Sequence, residues 1–199
     1  MNIYLLRHGE TSWNQEQRLQ GITDVPLNDV GVQQSRRLVR WFQKANIAGV
    51  IASPLHRARH TAHIVSERGK RPVVIEDQLR EIDHGTWTGW KISDIERRFP
   101  IEFATWRFSP DKLWLTAGET LEEVYRRSSG VLSKLLTTSI AGNVLVVSHG
   151  VVNALLVCAA LGVPLSEIWR FPQDNGRVTV MKVVRRQIIA VEKGIDVAA

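Results

Sequence analysis

Arg7 and His8 close the apolar run "NIYLLRHG", and arginine and histidine recur together in "SPLHRARHTA" (53–62) and as a lone histidine in "VVSHG" (146–150). Arginine keeps its charge at any physiological pH and presents a planar fork of donors, whereas histidine can be neutral and nucleophilic near pH 7. Four such groups in one pocket, Arg7, His8, Arg57 and His149, call for a dianion. A phosphomonoester supplies one, carrying about 1.5 to 2 negative charges near neutrality. Two arginines can clamp its non-bridging oxygens while a neutral imidazole in line with phosphorus attacks as a nucleophile. The departing alkoxide then needs a carboxyl group to protonate it and later to take a proton from water. Glu81 and Asp83, both in "LREIDHG" (79–85), are candidates, and residue chemistry alone does not choose between them.

For these residues to meet, the chain must bring distant segments to one rim. Strand candidates lie at 2–6, 49–52, 73–76, 144–148 and 178–184, and the first four are short apolar runs, the pattern of strands covered on both faces. Helical stretches alternate with them: one capped by Asn28 and running through Trp41, one opened by Pro54 and stopping near Gly69, and one from Gly150 that stops at Gly162. The alternation predicts an α/β fold with a mostly parallel central sheet flanked by helices. Arg7, His8, Arg57 and His149 then all follow strands, at the carboxyl edge where open α/β sheets build their sites. Helix N-termini near Pro54 and Gly150 would add backbone donors there.

One domain spanning 1–199 is expected, with a helical and loop insert at about 87–136 covering the site. Within it Ser93 is placed to cap "DIERRF", Pro100 to break that helix, and Thr120 with Glu123 to form a capping box. Leu121, Val124, Tyr125, Val131, Leu132, Leu135 and Leu136 make a core-facing stripe. "WRFSPDKLWLTAG" (106–118), with a proline, a glycine and two tryptophans, reads as a covering loop, its Trp106 and Trp114 open until a ligand arrives. Trp13 and Trp41 read as core or shoulder residues.

Composition narrows the function classes. The net charge of +6 favours acidic partners. The basic pairs at 36–37, 97–98, 126–127 and 185–186 fall on separate elements, so no nucleic-acid stripe is expected. The longest apolar run, Ala154–Leu161, is too short to span a bilayer, and the N-terminus carries no secretory pattern, so a cytoplasmic enzyme with no membrane partner is expected. The lone Cys158 sits in an apolar run and suits a reducing compartment. His56, His60 and His63 share a helix face without a carboxylate or cysteine beside them, which argues for exposed surface rather than a metal site. No metal and no cofactor are expected; the sequence leaves a homodimer open.

The ordered segments "LLRHGETSWN" (5–14), "QG" (20–21), "PLNDVGVQQS" (26–35), "SPLHRARHTA", "LREIDHGTWTG" (79–89), "GETLEEVYRR" (118–127) and "VVSHG" together resemble the histidine phosphatase superfamily, the phosphoglycerate mutase-like group. The resemblance spans nearly the whole chain. It implies a metal-independent phosphatase acting through phosphohistidine. His8 would be the phosphorylated nucleophile, Arg7, Arg57 and His149 would complete the phosphate pocket, and Glu81 would be the general acid. It further implies Asn14, Gln20, Gly21 and Gly150 among the substrate-binding residues. "EIDHGTWTG" and "WRFPQDNGRVTV" look most like phosphoserine phosphatases, in which comparison a cationic or hydrogen-bonding His84 would meet the substrate carboxylate. α-Ribazole and broad-specificity sugar-phosphate phosphatases follow. A mutase ranks lower, because "REIDHG" replaces that group's "ERHYG" segment and the tail is short. A non-catalytic phospho-ligand binding module ranks last.

Overall fold

Residues 1–66, 71–138 and 141–195 are described by the computed structural model. Among them the aliphatic and β-branched runs become six strands of one sheet: β1 (Asn2–Arg7), β2 (Ile47–Ala52), β3 (Val73–Ile75), β4 (Asn143–Ser148), β5 (Val178–Val184) and β6 (Gln187–Ile195). Their order is β3-β2-β4-β1-β5-β6. β3, β2, β4 and β1 run parallel, and β5 and β6 add as an antiparallel pair. One register fixes the chemistry: Arg7 of β1 sits opposite Ser148 of β4, so His8 and His149 leave adjacent strands at the same level.

Two readings of the strands change. β6 was not foreseen, because "QIIAVEK" follows a turn at Arg185 and Arg186, both at positive φ, and mixes polar with apolar residues as an edge strand does. β3 is not covered on both faces; it is the other edge, and Val74 is 59% exposed.

The helices are α1 (Ser12–Gln15), α2 (Asp29–Lys44), α3 (His56–Val65), α4 (Ile92–Arg98), α5 (Pro100–Phe108), α6 (Leu121–Thr137) and α7 (Gly150–Leu161). Asn28 caps α2 through its side chain, the Thr120–Glu123 box opens α6, and Gly162 at φ 64° ends α7 in the left-handed conformation that glycine adopts without strain. α3 begins at His56 rather than Pro54 and stops at Val65; Gly69 lies outside the described residues. Ser93 is no cap, since Lys91 holds that position and Ser93 lies inside α4. Pro100 opens α5 instead of merely ending α4, because a first-turn residue needs no intrahelical N–H partner. Trp106 and Phe108 are therefore helical, and the covering loop starts only after α5.

Apolar residues fill both faces of the sheet. One cluster joins Leu5, Val144 and Val146 to α6 and α7; the other joins Leu6, Val50 and Val147 to α2 and α3. Cys158 is buried in the first cluster, and burial pushes its thiol up to about 11. The α6 stripe also belongs to the first cluster, whereas Trp87, Ile95, Phe103, Leu113 and Leu115 form a third beneath α4 and α5. The segment 87–136 thus splits into a cap with its own small core and a helix of the main layer. No helix among the described residues is long and apolar enough to cross a membrane.

The loop after β1 is held by backbone-to-backbone contact with α2. A Cβ on Gly31 would lie 2.1 Å from the Glu10 carbonyl oxygen, and one on Gly9 2.4 Å from the Gly31 oxygen. Neither neighbour is a flexible side chain, so Gly31→Ala should destabilise by about 1–3 kcal/mol or more. Gly130, exposed on α6 with open space around it, should behave oppositely and gain about 0.5–1 kcal/mol as alanine. Urea melts of the two variants check both signs; equal effects would contradict the close approach.

Candidate active site

Three strand ends and two loops meet at a cavity of about 450 Å³ whose walls include Arg7, His8, Arg57, Glu81 and His84. His8 follows β1, Arg57 is the second residue of α3, and His149 takes the cap position of α7. The His8 ring is buried and its two nitrogens have different partners. Nδ1 lies 2.7 Å from the Gly9 carbonyl oxygen, which only accepts, so Nδ1 carries the proton and donates. Nε2 then holds the lone pair, and Arg57 Nε–H donates to it at 3.2 Å. The lone-pair nitrogen therefore faces a guanidinium group.

Arg57 is fixed by carbonyls: its Nη1 donates to Thr23 O at 2.7 Å and its Nη2 to Gly21 O at 2.8 Å. Gly21 is at φ 52°, and a Cβ there would press within 3.2 Å of the His84 nitrogen and the Ile82 oxygen. Its glycine is what lets this turn aim a carbonyl at Arg57. Arg7 Nη1 donates to Gln173 O at 2.6 Å, and its buried Nε has no partner among the described residues. His149 lies beside His8, ring centroids 5.1 Å apart, with Nε2 2.7 Å from Ser53 Oγ and Nδ1 buried without a partner among the described residues. It does not line the cavity itself.

Burial, and then the neighbouring guanidinium charges of Arg57 and Arg7, hold His8 well below the ordinary imidazole value. His149 is lowered the same way, first by burial and then by Arg57, His8 and Arg7. The two arginines stay charged: burial lowers Arg57 to about 10, while Glu81 and Asp24 oppose the shift. Burial likewise lowers Arg7, opposed by Glu81 and Asp174. The site is thus two fixed cations beside neutral imidazoles, a field shaped for an incoming dianion.

Of the two carboxyl candidates, Glu81 lines the cavity and Asp83 does not. Glu81 Oε1 accepts from Ile82 N at 3.0 Å, and its Oε2 accepts from Val151 N at 3.3 Å, at the start of α7. Asp83 Oδ1 instead accepts from Gly85 N within its own turn. Asn14, Gln20, Gly21 and Gly150 are all in the cavity wall, as is His84. The donors expected at the start of α3 are not free, since His56 N donates to Asp24 Oδ1 at 2.5 Å.

His84 is not cationic. Burial first, and Arg57 second, lower it to about 4, and its ring meets Trp106 edge-on at 5.6 Å. Trp106 lines the cavity, but Trp114 is 82% exposed and takes no part in it. Trp13 is a wall residue too, under the Arg18 guanidinium.

Several functional neighbours escaped sequence reasoning. Asn175 Nδ2 donates to His8 O at 3.0 Å and to Asn14 Oδ1 at 3.2 Å, binding the β1 loop to the turn before β5. The only sequence signal for it was the "DNG" turn. Arg127 braces the Glu81 loop by donating to Gln78 O at 2.7 Å, Arg80 O at 2.6 Å and Glu81 O at 3.1 Å, and it pairs with Glu119 at 2.9 Å. Trp169 packs on Trp106 with centroids 4.7 Å apart.

Residues 3–195 match the family described as "Histidine phosphatase superfamily (branch 1)". The chain belongs to the histidine phosphatase superfamily. It is 33% identical to "Phosphoserine phosphatase 1" of Hydrogenobacter thermophilus over 195 residues, 98% of this chain and 92% of that protein. It is 32% identical to the "Adenosylcobalamin/alpha-ribazole phosphatase" of Salmonella typhimurium over 88% of this chain and 87% of that one. Its fold matches the solved structure of Bacillus stearothermophilus YhfR with a TM-score of 0.92 at 32% identity, covering 100% and 99% of the two chains. As a histidine phosphatase superfamily member, the chain is a phosphatase, of a family that acts on small phosphorylated substrates.

Neutral burial of three histidines makes stability depend on pH. An unfolded histidine takes up its proton near pH 6.5, whereas His8, His84 and His149 resist it. The unfolded state therefore binds more protons, and stability falls as pH drops below about 6.5. His84 alone contributes about 2 kcal/mol of loss by pH 5. Thermal melts should show Tm falling from pH 7 to pH 5, less steeply in His84→Asn; a flat Tm would contradict the neutral assignment.

Proposed function

We propose that this phosphatase hydrolyses small phosphomonoesters through a phosphohistidine on His8. In the first half-reaction His8 Nε2 bonds to phosphorus as the phosphorus–ester-oxygen bond breaks, and Glu81 gives its proton to the departing oxygen. In the second, water attacks phosphorus, Glu81 takes its proton, the phosphorus–nitrogen bond breaks, and inorganic phosphate leaves with His8 neutral again. The observation that carries this reading is the Nδ1–H bond to Gly9 O, which leaves the lone pair on Nε2 at the cavity. Arg57 Nε must release that lone pair on substrate entry and turn to a phosphoryl oxygen. Arg7 Nε and His149 Nδ1, both without partners among the described residues, are the donors we assign to the remaining oxygens. With two guanidinium groups neutralising the phosphoryl charge, Mg²⁺ has no role in this scheme.

The substrate we favour carries a carboxylate near its phosphate, as phosphoserine does. Support comes from the Hydrogenobacter relative's name and from His84 in the cavity wall, where a neutral imidazole offers one N–H to a carboxylate oxygen. The α-ribazole and sugar-phosphate readings stand behind it, and the mutase reading last.

The test is a rapid quench with phosphorus-labelled phosphoserine in excess EDTA. We expect an adduct that is acid-labile and base-stable in the wild type and missing in folded His8→Ala. An adduct that persists in His8→Ala, or turnover that stops on chelation and returns with a divalent ion, would overturn the scheme.

A further inference from the structure

Beside the phosphate cavity lies a second compartment of about 320 Å³, lined by Leu19, Ile92, Phe103, Trp106, Arg107, Phe108 and Trp169. Leu19, Ile92, Trp106 and Trp169 border both spaces, so the two adjoin. Each volume falls in the range of roughly 300–1,000 Å³ typical of ligand sites. A serine-sized body beyond the phosphate has no atoms to place among these side chains.

The chemistry of the annex differs from that of the phosphate site. Its walls are aromatic and aliphatic carbon apart from Arg107, whose guanidinium lies 6.0 Å from the Phe108 ring centroid. The other polar groups on its wall side chains are the indole N–H groups of Trp106 and Trp169, and the second is already spent on Trp106 O at 2.7 Å. That bond, with the edge-to-face contact of the two rings, fixes the shared wall as a rigid aromatic surface. Yet Phe108 is 78% exposed, and Ile92 and Trp169 are each 38% exposed. Apolar surface held rigid and uncovered beside a site marks a place for a ligand.

We infer that this annex binds an apolar extension of the substrate, so that a hydrocarbon chain or ring several carbons beyond the ester oxygen adds to what the phosphate site and His84 already select. The inference rests on the phosphatase reading of the adjoining cavity and specifies what that cavity takes. Trp106 would meet the first carbons, and Ile92, Phe108 and Trp169 the distal ones. Burying one methylene is worth a factor of roughly four in binding.

The experiment measures kcat/KM for ethyl, butyl, hexyl and octyl phosphate below their micelle concentrations, with wild type and Phe108→Ser. Phe108 is exposed and outside the phosphate site, so its replacement leaves the core intact. For wild type the octyl-to-ethyl ratio should exceed roughly tenfold, and Phe108→Ser should cut that ratio by roughly threefold or more. A wild-type ratio near one, or a ratio untouched by Phe108→Ser, overturns the annex while leaving the phosphatase reading standing. Failure to release phosphate from any ester, p-nitrophenyl phosphate included, sinks the phosphatase reading instead.

Discussion

Two arginines, Arg57 buried and Arg7 half-buried, set beside two buried imidazoles form the constraint that shapes this molecule. Arg7 and Arg57 cannot be desolvated cheaply, and each lowers the proton affinity of the histidines around it. The fold answers with backbone carbonyls. Gly21, Thr23 and Gln173 each turn an oxygen toward a guanidinium group, and Glu81, Asp24 and Asp174 supply opposite charge nearby. These partners hold the cations in place without neutralising them. The remaining attraction is a field shaped for a dianion.

Each layer of the fold can be traced to that requirement. The β1–β4 register puts His8 and His149 level, and the Gly9–Gly31 approach lets the first loop lie flat on α2. Thr61 on α3 accepts from Gly9 N and donates to Arg57 O, so one side chain links the nucleophile's loop to the arginine that faces it. On the far side, Ser148 donates to Leu79 O and Arg127 grips three carbonyls of 78–81, which fixes Glu81 relative to β4. Rigid placement of this kind lets a weak nucleophile and a poor leaving group react.

How much of this was readable from residues depended on whether the signal was local. Strand runs, the Asn28 and Thr120 caps and the Gly162 stop are set within a few residues, and they lie where periodicity and capping chemistry place them. So do Arg7, His8, Arg57 and His149, because residues that follow parallel strands share an edge. Asn175, Gln173 and Arg127 act through contacts 46 to 167 positions away in sequence, and nothing in "QDNG" or "YRR" announces a partner. Ser93 had the right type for a cap, but Lys91, two positions earlier, takes that place and the helix begins at Ile92. Trp106 and Trp114 looked alike in one loop, yet α5 carries the first into the cavity wall and leaves the second in water.

The central claim is that His8 is neutral, with its proton on Nδ1 and its lone pair on Nε2. Long-range proton–nitrogen correlation spectra of histidine-labelled protein, with His8→Asn for assignment, read both facts directly. The account predicts an Nδ1–H ring for His8 whose nitrogen shifts hold from pH 8 to pH 5, below the ordinary titration near 6.5. A ring protonated on Nε2, or one that titrates near pH 6.5, would contradict it.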